Sequence, residues 1–351
     1  MEHKAMDEAA RTAFAETFYS RQTVLRELGT AGQKKLAKAR VAVVGVGGLG
    51  SVSSLYLTLA GVGYIRVIDQ DTLEPHNLHR QILYTPDDLN YPKAEVAAKK
   101  LQKQNPLVQV EAASENLNAD NAEALLKGVD IVVDGLDNMP TRHIVNRACV
   151  KLKKPYVFGA AIGFEGNLSV FHPPKTGCLE CLMPSGAGGG MDTCDTRGIV
   201  GATAGIIGSL QAIETIKLIA GIGEPLLGKL LVCDFTDMDF TVLPITENPQ
   251  CPVCHGESKL AGGERLVWLC GKDTANINPE KPLKQSLEEL YPKVKAHFEV
   301  RLKSQLAIMF AYRGCDVSLF SGGRMLIKGV SNEQAALTAY HDILEKLKAR
   351  A

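Results

Sequence analysis

Two groups of residues in this sequence have the types and spacing to do chemistry: paired cysteines, and clustered glycines followed by scattered acids and bases. Cys178 and Cys181 form CLEC, and Cys251 and Cys254 form CPVC. Two C-x-x-C pairs divided by a long insertion make a four-thiolate zinc pattern, which clamps remote chain segments together. A redox C-x-x-C would need a thioredoxin-like context, and none surrounds these pairs. Between them runs SGAGGGMDTCDTRG, whose glycines are poor at filling a core. It carries Cys194, with Asp192 and Asp195 to raise its pKa and Arg197 to lower it. A glycine-rich loop can swing a thiol onto a bound intermediate; an incidental loop cysteine is the alternative. Cys270 and Cys315 read as packing residues.

The second group begins with Gly45, Gly47 and Gly50, which make G-x-G-x-x-G, with an extra glycine at Gly48. Such glycines permit a tight turn and close approach of backbone to phosphate, and the helix that follows offers free N–H groups and a positive dipole end. Asp69 ends the next apolar run, where an acid would accept hydrogen bonds from ribose hydroxyls. This much indicates an adenine nucleotide without separating NAD, FAD and ATP. Asn77, Arg80 and Gln81 fall in the irregular stretch TLEPHNLHRQ, beyond a strand end and so near the phosphates. The planar fork of arginine donates two hydrogen bonds to phosphate at once; a capping Asn and a surface Arg are the alternative. Lys93 opens a helix, where the dipole disfavours a cation unless it faces an anion. Asp137 follows a buried strand and either holds magnesium near phosphates or caps the helix from Pro140. Arg21, in Tyr19-Ser20-Arg21-Gln22, reads on its own as a solvated helix charge.

These side chains need a frame. Val41 to Val44 and Tyr64 to Ile68 read as buried parallel strands around a helix at Ser51 to Ala60. A helix from Lys93, strands at Val108 to Ala112, Asp130 to Asp134 and Tyr156 to Ala161, and a helix at Asn121 to Lys127 repeat the alternation. The fold class expected is α/β: a Rossmann-like, doubly wound, mostly parallel sheet with helices on both faces. Gly166 to His172 is less regular and open to antiparallel pairing. Thr203 to Ala220 is a long apolar helix for core or subunit contact. Residues 258 to 264 read as a linker, which divides the chain into a domain over 1–257 and a small α+β module over 265–351. That module contains strand-like runs and a terminal helix with Ser331 and Gln334 in capping-box spacing. It offers no catalytic constellation, so an interaction role is its default.

The 351 residues suffice for one large domain and a small one, and 39 basic residues balance 39 acidic ones. Nothing in that balance points to nucleic acid or an anionic membrane as partner. No apolar run is expected to reach the ~18 residues of a membrane-spanning helix. The start, MEHKAMDEAARTAF, lacks the apolar core of a signal peptide, so a cytoplasmic location is expected.

Taken together, the motifs resemble the ThiF/MoeB/HesA family, relatives of ubiquitin-activating enzymes. The matching pieces are YSRQ at Tyr19 to Gln22, GVGGLG at Gly45 to Gly50, DQD at Asp69 to Asp71 and NLHRQ at Asn77 to Gln81. Lys93, DGLDN at Asp134 to Asn138, both cysteine pairs and CDTRGIVGATAGIIGSLQAIE from Cys194 continue the match. The family uses ATP to adenylate the C-terminal glycine carboxylate of a ubiquitin-like or sulfur-carrier protein ending in Gly-Gly. The resemblance implies that the Gly45, Gly47, Gly48 and Gly50 loop and Asp69 bind the nucleotide, with Asp71, Asn77, Gln81 and Asn138 beside them. It implies that Arg80 and Lys93 bind the triphosphate, that Asp137 holds magnesium, and that Arg21 reaches the active site of the other subunit of a homodimer. In ThiF-like members the residue at Cys194 attacks the acyl-adenylate or joins the carrier through sulfur; in some MoeB-like members a separate sulfur donor acts. The tail matches no rhodanese domain and is too short for the added domains of large ubiquitin-activating enzymes.

Two other function classes remain: an NAD-dependent oxidoreductase, which the glycine fingerprint alone would favour, and a noncatalytic scaffold for a β-grasp protein. The first gives no reason for Arg80, Lys93 and Asp137 to cluster.

Overall fold

Two short helices and a third, α1 (Glu8–Phe18), α2 (Ser20–Thr23) and α3 (Gly29–Lys38), lead into the βαβ unit β1 (Arg40–Val44), α4 (Gly48–Ala60) and β2 (Tyr64–Ile68). The computed structural model describes residues 7–185, 197–256, 266–268, 273–279 and 283–348. After β2 come α5 (Lys93–Gln104), β3 (Gln109–Ala113), α6 (Ala122–Leu126), β4 (Ile131–Asp134), α7 (Met139–Leu152), β5 (Tyr156–Ile162) and β6 (Glu165–Phe171). The one-turn helix α8 (Leu179–Leu182), the long α9 (Gly201–Ala220) and a last hairpin, β7 (Lys229–Asp234) and β8 (Asp239–Pro244), complete this part.

The eight strands form one sheet in the order β3-β2-β1-β4-β5-β6-β7-β8. The pairs from β3 to β5 are parallel, and those from β5 to β8 are antiparallel. The Rossmann-like half was expected, as was the antiparallel β6. The β7–β8 hairpin was not: all six residues of β8 are exposed, so its sequence carries no buried alternation to read. Val41, Val43, Ile65 and Val67 are fully buried, as β-branched residues in a sheet covered on both faces should be.

Helix α9 is long and apolar enough to cross a membrane by length and composition, which corrects the expectation that no run would be. It packs instead against α4, β5 and β6, and its Ala204 and Ile207 share a buried cluster with Leu49 of α4 and Cys233 of β7.

The chain divides into two units, Met1–Ala261 and Gly262–Ala351. The second contains β9 (Leu266–Trp268), β10 (Thr274–Ile277), α10 (Leu287–His297), β11 (Glu299–Lys303), β12 (Ala307–Tyr312), β13 (Cys315–Phe320), β14 (Met325–Lys328) and α11 (Glu333–Lys348). Its six strands are antiparallel, in the order β11-β12-β13-β14-β10-β9. Leu290 and Val294 of α10 and Tyr340 and Ile343 of α11 share a core with Phe310 and Ile327 from one sheet face. Asn332, not Ser331, caps α11, its Oδ1 accepting from Ala335 N at 2.9 Å. The expected linker at 258–264 lies outside the described residues, as do Cys194 and Cys270.

Candidate active site

The site is built where β1 ends. Gly45 has φ +83°, a left-handed conformation that a side chain would strain, and its N–H donates to Ile68 O at 2.7 Å. The helix begins earlier than the sequence suggested, at Gly48, so Gly50 belongs to its first turn. A Cβ on Gly50 would fall 1.8 Å from Gly45 O, so only glycine lets helix and loop close on each other. Gly47 precedes α4 as its N-cap without any side-chain cap, leaving the first N–H groups of the helix for a ligand. Tyr84, which sequence reading missed, pins this cradle: its hydroxyl donates to Val46 O at 2.9 Å.

Asp69 closes the cradle from the side. Its Oδ2 accepts from Val46 N and its Oδ1 from Asp71 N, both at 2.8 Å. Its carboxylate therefore holds the loop to the end of β2, leaving only its remaining lone pairs for a ribose. Burial pushes its pKa up to about 6, with Lys93 pulling it down and Asp71 pushing it up. Asp71 Oδ1, by contrast, is a buried acceptor without a partner among the described residues, as is Gln81 Oε1. Unpaired buried acceptors call for donors, which hydroxyl or amino groups of a bound ligand would supply.

Lys93 starts α5, as the sequence predicted, and is buried. The anion it faces is Asp71, whose Oδ2 lies 2.9 Å from Nζ. Burial alone would lower the pKa of Lys93, but Asp71 and Asp69, with Asp137 adding to them, raise it above its ordinary value. Asp71 thus pairs with the ammonium directly, while Asp69 and Asp137 act on it through their charge.

Asp137 is exposed, and its one hydrogen bond among the described residues is from the amide of Asn138, at 3.2 Å. Asn138, not Asp137, caps α7, its Oδ1 accepting from Thr141 N. This leaves Asp137 open to a cation. The loop carrying it is held by a network that no spacing of residues announces. Buried Asp134 accepts from Tyr156 Oη at 2.6 Å, from Arg142 Nε at 3.1 Å and from Leu136 N at 2.8 Å. Arg142 also donates to Leu136 O and Gly159 O, and Gln211 on α9 donates to Asp134 O at 2.6 Å. Burial raises the pKa of Asp134 against the opposing pull of Arg142 and Tyr156.

Arg80 lies along the cradle: a Cβ on Gly48 would come 3.6 Å from its Cδ. Its Nη1 donates to His76 O at 2.9 Å and lies 2.9 Å from His79 Nε2. Gln81 Nε2 would lie 3.6 Å from a Cβ on Gly47. Asn77 is buried and its Oδ1 accepts from Glu74 N, so it shapes the turn that presents Arg80. Arg21 stands apart, exposed on α2 and without an ion pair among the described residues.

Cys178, Cys181, Cys251 and Cys254 do converge: their sulfurs all lie within 4.8 Å of one another. Two of the distances are 3.7 Å (Cys178 to Cys251) and 3.6 Å (Cys181 to Cys254). A tetrahedral zinc with bonds of about 2.3 Å sets its sulfurs about 3.8 Å apart, so the cluster has the dimensions of a four-thiolate metal site.

A sequence model of the ThiF family matches residues 19–253. The chain belongs to the ThiF family. Among its relatives is the sulfur carrier protein adenylyltransferase of Thermus thermophilus, 46% identical over 245 residues that cover 68% of this chain and 90% of that protein. The adenylyltransferase and sulfurtransferase MOCS3 of Culex quinquefasciatus is 43% identical over 69% of this chain, a match spanning only 56% of that longer protein. A solved structure of Escherichia coli MccB with MccA-N7isoASN superposes with a TM-score of 0.61 at 27% identity, over 68% of this chain and 74% of that one. The ThiF match takes in the cradle, Lys93, Asp137 and all but the last of the four cysteines, Cys254 lying one residue beyond it.

Proposed function

We propose that this chain uses ATP to adenylate the C-terminal glycine carboxylate of a ubiquitin-like sulfur-carrier protein ending in Gly-Gly. The observation that carries the reading is Lys93, a buried ammonium among Asp69, Asp71 and Asp137 at a glycine cradle, in a ThiF-family chain. A carboxylate is a poor electrophile because its leaving group would be oxide. In the proposed step a carboxylate oxygen attacks the α-phosphorus of ATP, the bond to the bridging oxygen breaks, and pyrophosphate leaves with the electron pair. No base is needed, since the nucleophile is already ionised at neutral pH. The protein contributes position and charge.

Gly45, Gly47, Gly48 and Gly50 with the start of α4 seat the phosphates. Asp69 and Asp71 take the ribose, and Gln81, Asn77 and Asn138 shape the walls. Lys93 and Arg80 bind the triphosphate. Asp137 holds magnesium, which neutralises charge on the phosphates when bound. The four cysteines hold zinc as a structural clamp. Cys194 acts after adenylation: its thiolate attacks the acyl-adenylate carbonyl and AMP leaves, giving a thioester, or, where a separate sulfur donor has first made Cys194 a persulfide, the persulfide displaces AMP to give an acyl disulfide. An NAD enzyme leaves the ammonium among three carboxylates without a role. The protein works in the cytoplasm, away from nucleic acid and membrane.

The active unit in this reading is a homodimer. Gln22, next to Arg21, donates to Ala60 O at the C-terminal end of α4. The cradle lies at the other end of that 13-residue helix, about 20 Å away at 1.5 Å per residue. One arginine side chain cannot span that, so Arg21 serves a second copy. Val24 and Leu25, 75% and 52% exposed, supply apolar surface beside it.

Carrier-dependent ATP–pyrophosphate exchange tests the function, using purified ubiquitin-fold proteins that end in Gly-Gly. Exchange with one of them, lost when its last glycine is removed, is the expected result. Exchange with none, in a protein that binds ATP, would overturn the reading.

A further inference from the structure

The stretch YSRQ contributes Arg21 to the proposed site, but the residue of it that the fold buries is Tyr19. Tyr19 is 7% exposed. It ends α1, and its backbone carbonyl accepts from Gln22 N and Thr23 N, so it also starts α2. Its hydroxyl accepts from Asn105 Nδ2 at 2.7 Å, and the same amide donates to Thr58 O at 2.7 Å. Asn105 is fully buried at the end of α5. The ring of Tyr19 lies on Gly61, where a Cβ would come within 2.6 Å of its Cζ and Oη. Beside it, Gln22 Nε2 donates to Gln33 Oε1 at 3.0 Å, and Gln33 Nε2 donates to Ala60 O at 2.9 Å.

A helix of four residues has no stability of its own, since nucleation costs more than one turn of hydrogen bonds returns. The direction of α2 is therefore set by these side-chain bonds. They key it to the C-terminal ends of α4 and α5, the two helices whose N-termini carry the cradle and Lys93. We infer that Tyr19, with Asn105 and Gln22, is a positioning residue that aims Arg21 into the active site of the second copy. The inference rests on the adenylation reading and on Arg21 acting across the dimer. It gives the buried tyrosine a task in catalysis although it touches no substrate.

Tyr19→Phe keeps the ring on Gly61 and removes only the hydroxyl; Gln22→Ala is the second variant. Each should lower kcat for carrier-dependent exchange about 5- to 20-fold with the KM for ATP within twofold, while remaining folded and dimeric. Mixing supplies the readout that a merely structural role would not move. When Tyr19→Phe is mixed with inactive Lys93→Ala under conditions of subunit exchange, one of the two sites in each mixed dimer takes its cradle from the first protein and a well-aimed Arg21 from the second. Its turnover per intact site should return to the parent value. Mixing Tyr19→Phe with Arg21→Ala should give no such recovery. Parent-level kcat in both Tyr19→Phe and Gln22→Ala, with Arg21→Ala inactive, would overturn the inference and leave the reading of Arg21 standing. Lowered kcat without recovery in the Lys93→Ala mixture would also overturn it. A fully active Arg21→Ala would instead remove the trans reading on which it rests.

Discussion

The glycine cradle and the four-thiol cluster are both assembled from segments far apart in sequence, yet they are built in opposite ways. The cradle gathers charge that is not neutralised in pairs: one ammonium feels the charge of three carboxylates, and two buried acceptor atoms lack partners among the described residues. The cluster gathers four thiols of one kind at the spacing of a tetrahedron, with apolar Val150 and Val253 packed around them. Unsatisfied polar groups cost stability, so the cradle is arranged for a ligand at some expense to the fold. Four equivalent thiolates around a metal add to stability. The difference separates chemistry from fastening, and single substitutions should separate them too.

The largest effect belongs to the cradle. Asp137→Ala should reduce pyrophosphate exchange by about 10²–10³-fold, the scale for removing one electrostatic contact to the reacting charge. Because Asp137 is exposed and hydrogen-bonded among the described residues only to Asn138, the melting temperature should stay within about a degree. Unchanged exchange in that variant would take Asp137 out of the site. The opposite dissociation belongs to the cluster. Parent protein should hold one zinc per chain by elemental analysis. Cys251→Ser should lose it and melt several degrees lower, while exchange per folded molecule stays near parent. Full zinc content in Cys251→Ser, or lost exchange with metal retained, would break the contrast.

A smaller effect concerns pH. Burial raises Asp69 from an ordinary 3.8 to about 6. Between those values the folded state binds more protons than the unfolded one. The contribution of Asp69 is therefore fully present below about 3.8 and is lost as pH rises through about 6. Asp69→Asn cannot ionise. The stability of that variant relative to parent should therefore climb from pH 4 to pH 6.5 by up to about 3 kcal/mol, two pKa units at about 1.4 kcal/mol each. A flat difference in nucleotide-free protein would show that Lys93 keeps Asp69 ionised throughout.

The same contrast explains what could be read from sequence. The thiol cluster was legible because each C-x-x-C is a local pattern, and the cradle because strand, glycines, helix and acid follow in order. The strand from Tyr64 to Ile68 was read with its observed ends, and the helix from Lys93 with its observed start. What escaped depends on distant partners. The Asp134–Arg142–Tyr156–Gln211 network joins β4, α7, β5 and α9, and no spacing announces it. Asp69 fits the ribose-binding position by sequence, but only the fold shows both of its oxygens holding backbone N–H groups while Asp71 keeps one free. Strand β10 was missed, although all four of its residues are buried, because so short a run has no readable period.

The central claim is transfer of an adenylyl group to a carrier terminus. ATP labelled in the α-phosphate, incubated with the protein, magnesium and a Gly-Gly carrier, should place label on the carrier. Mass spectrometry of the acid-quenched mixture should show one added adenylyl group on the C-terminal glycine, absent with Asp137→Ala or with a carrier shortened by one residue. Carrier that binds the ATP-loaded protein but never gains the adenylyl group would contradict the account.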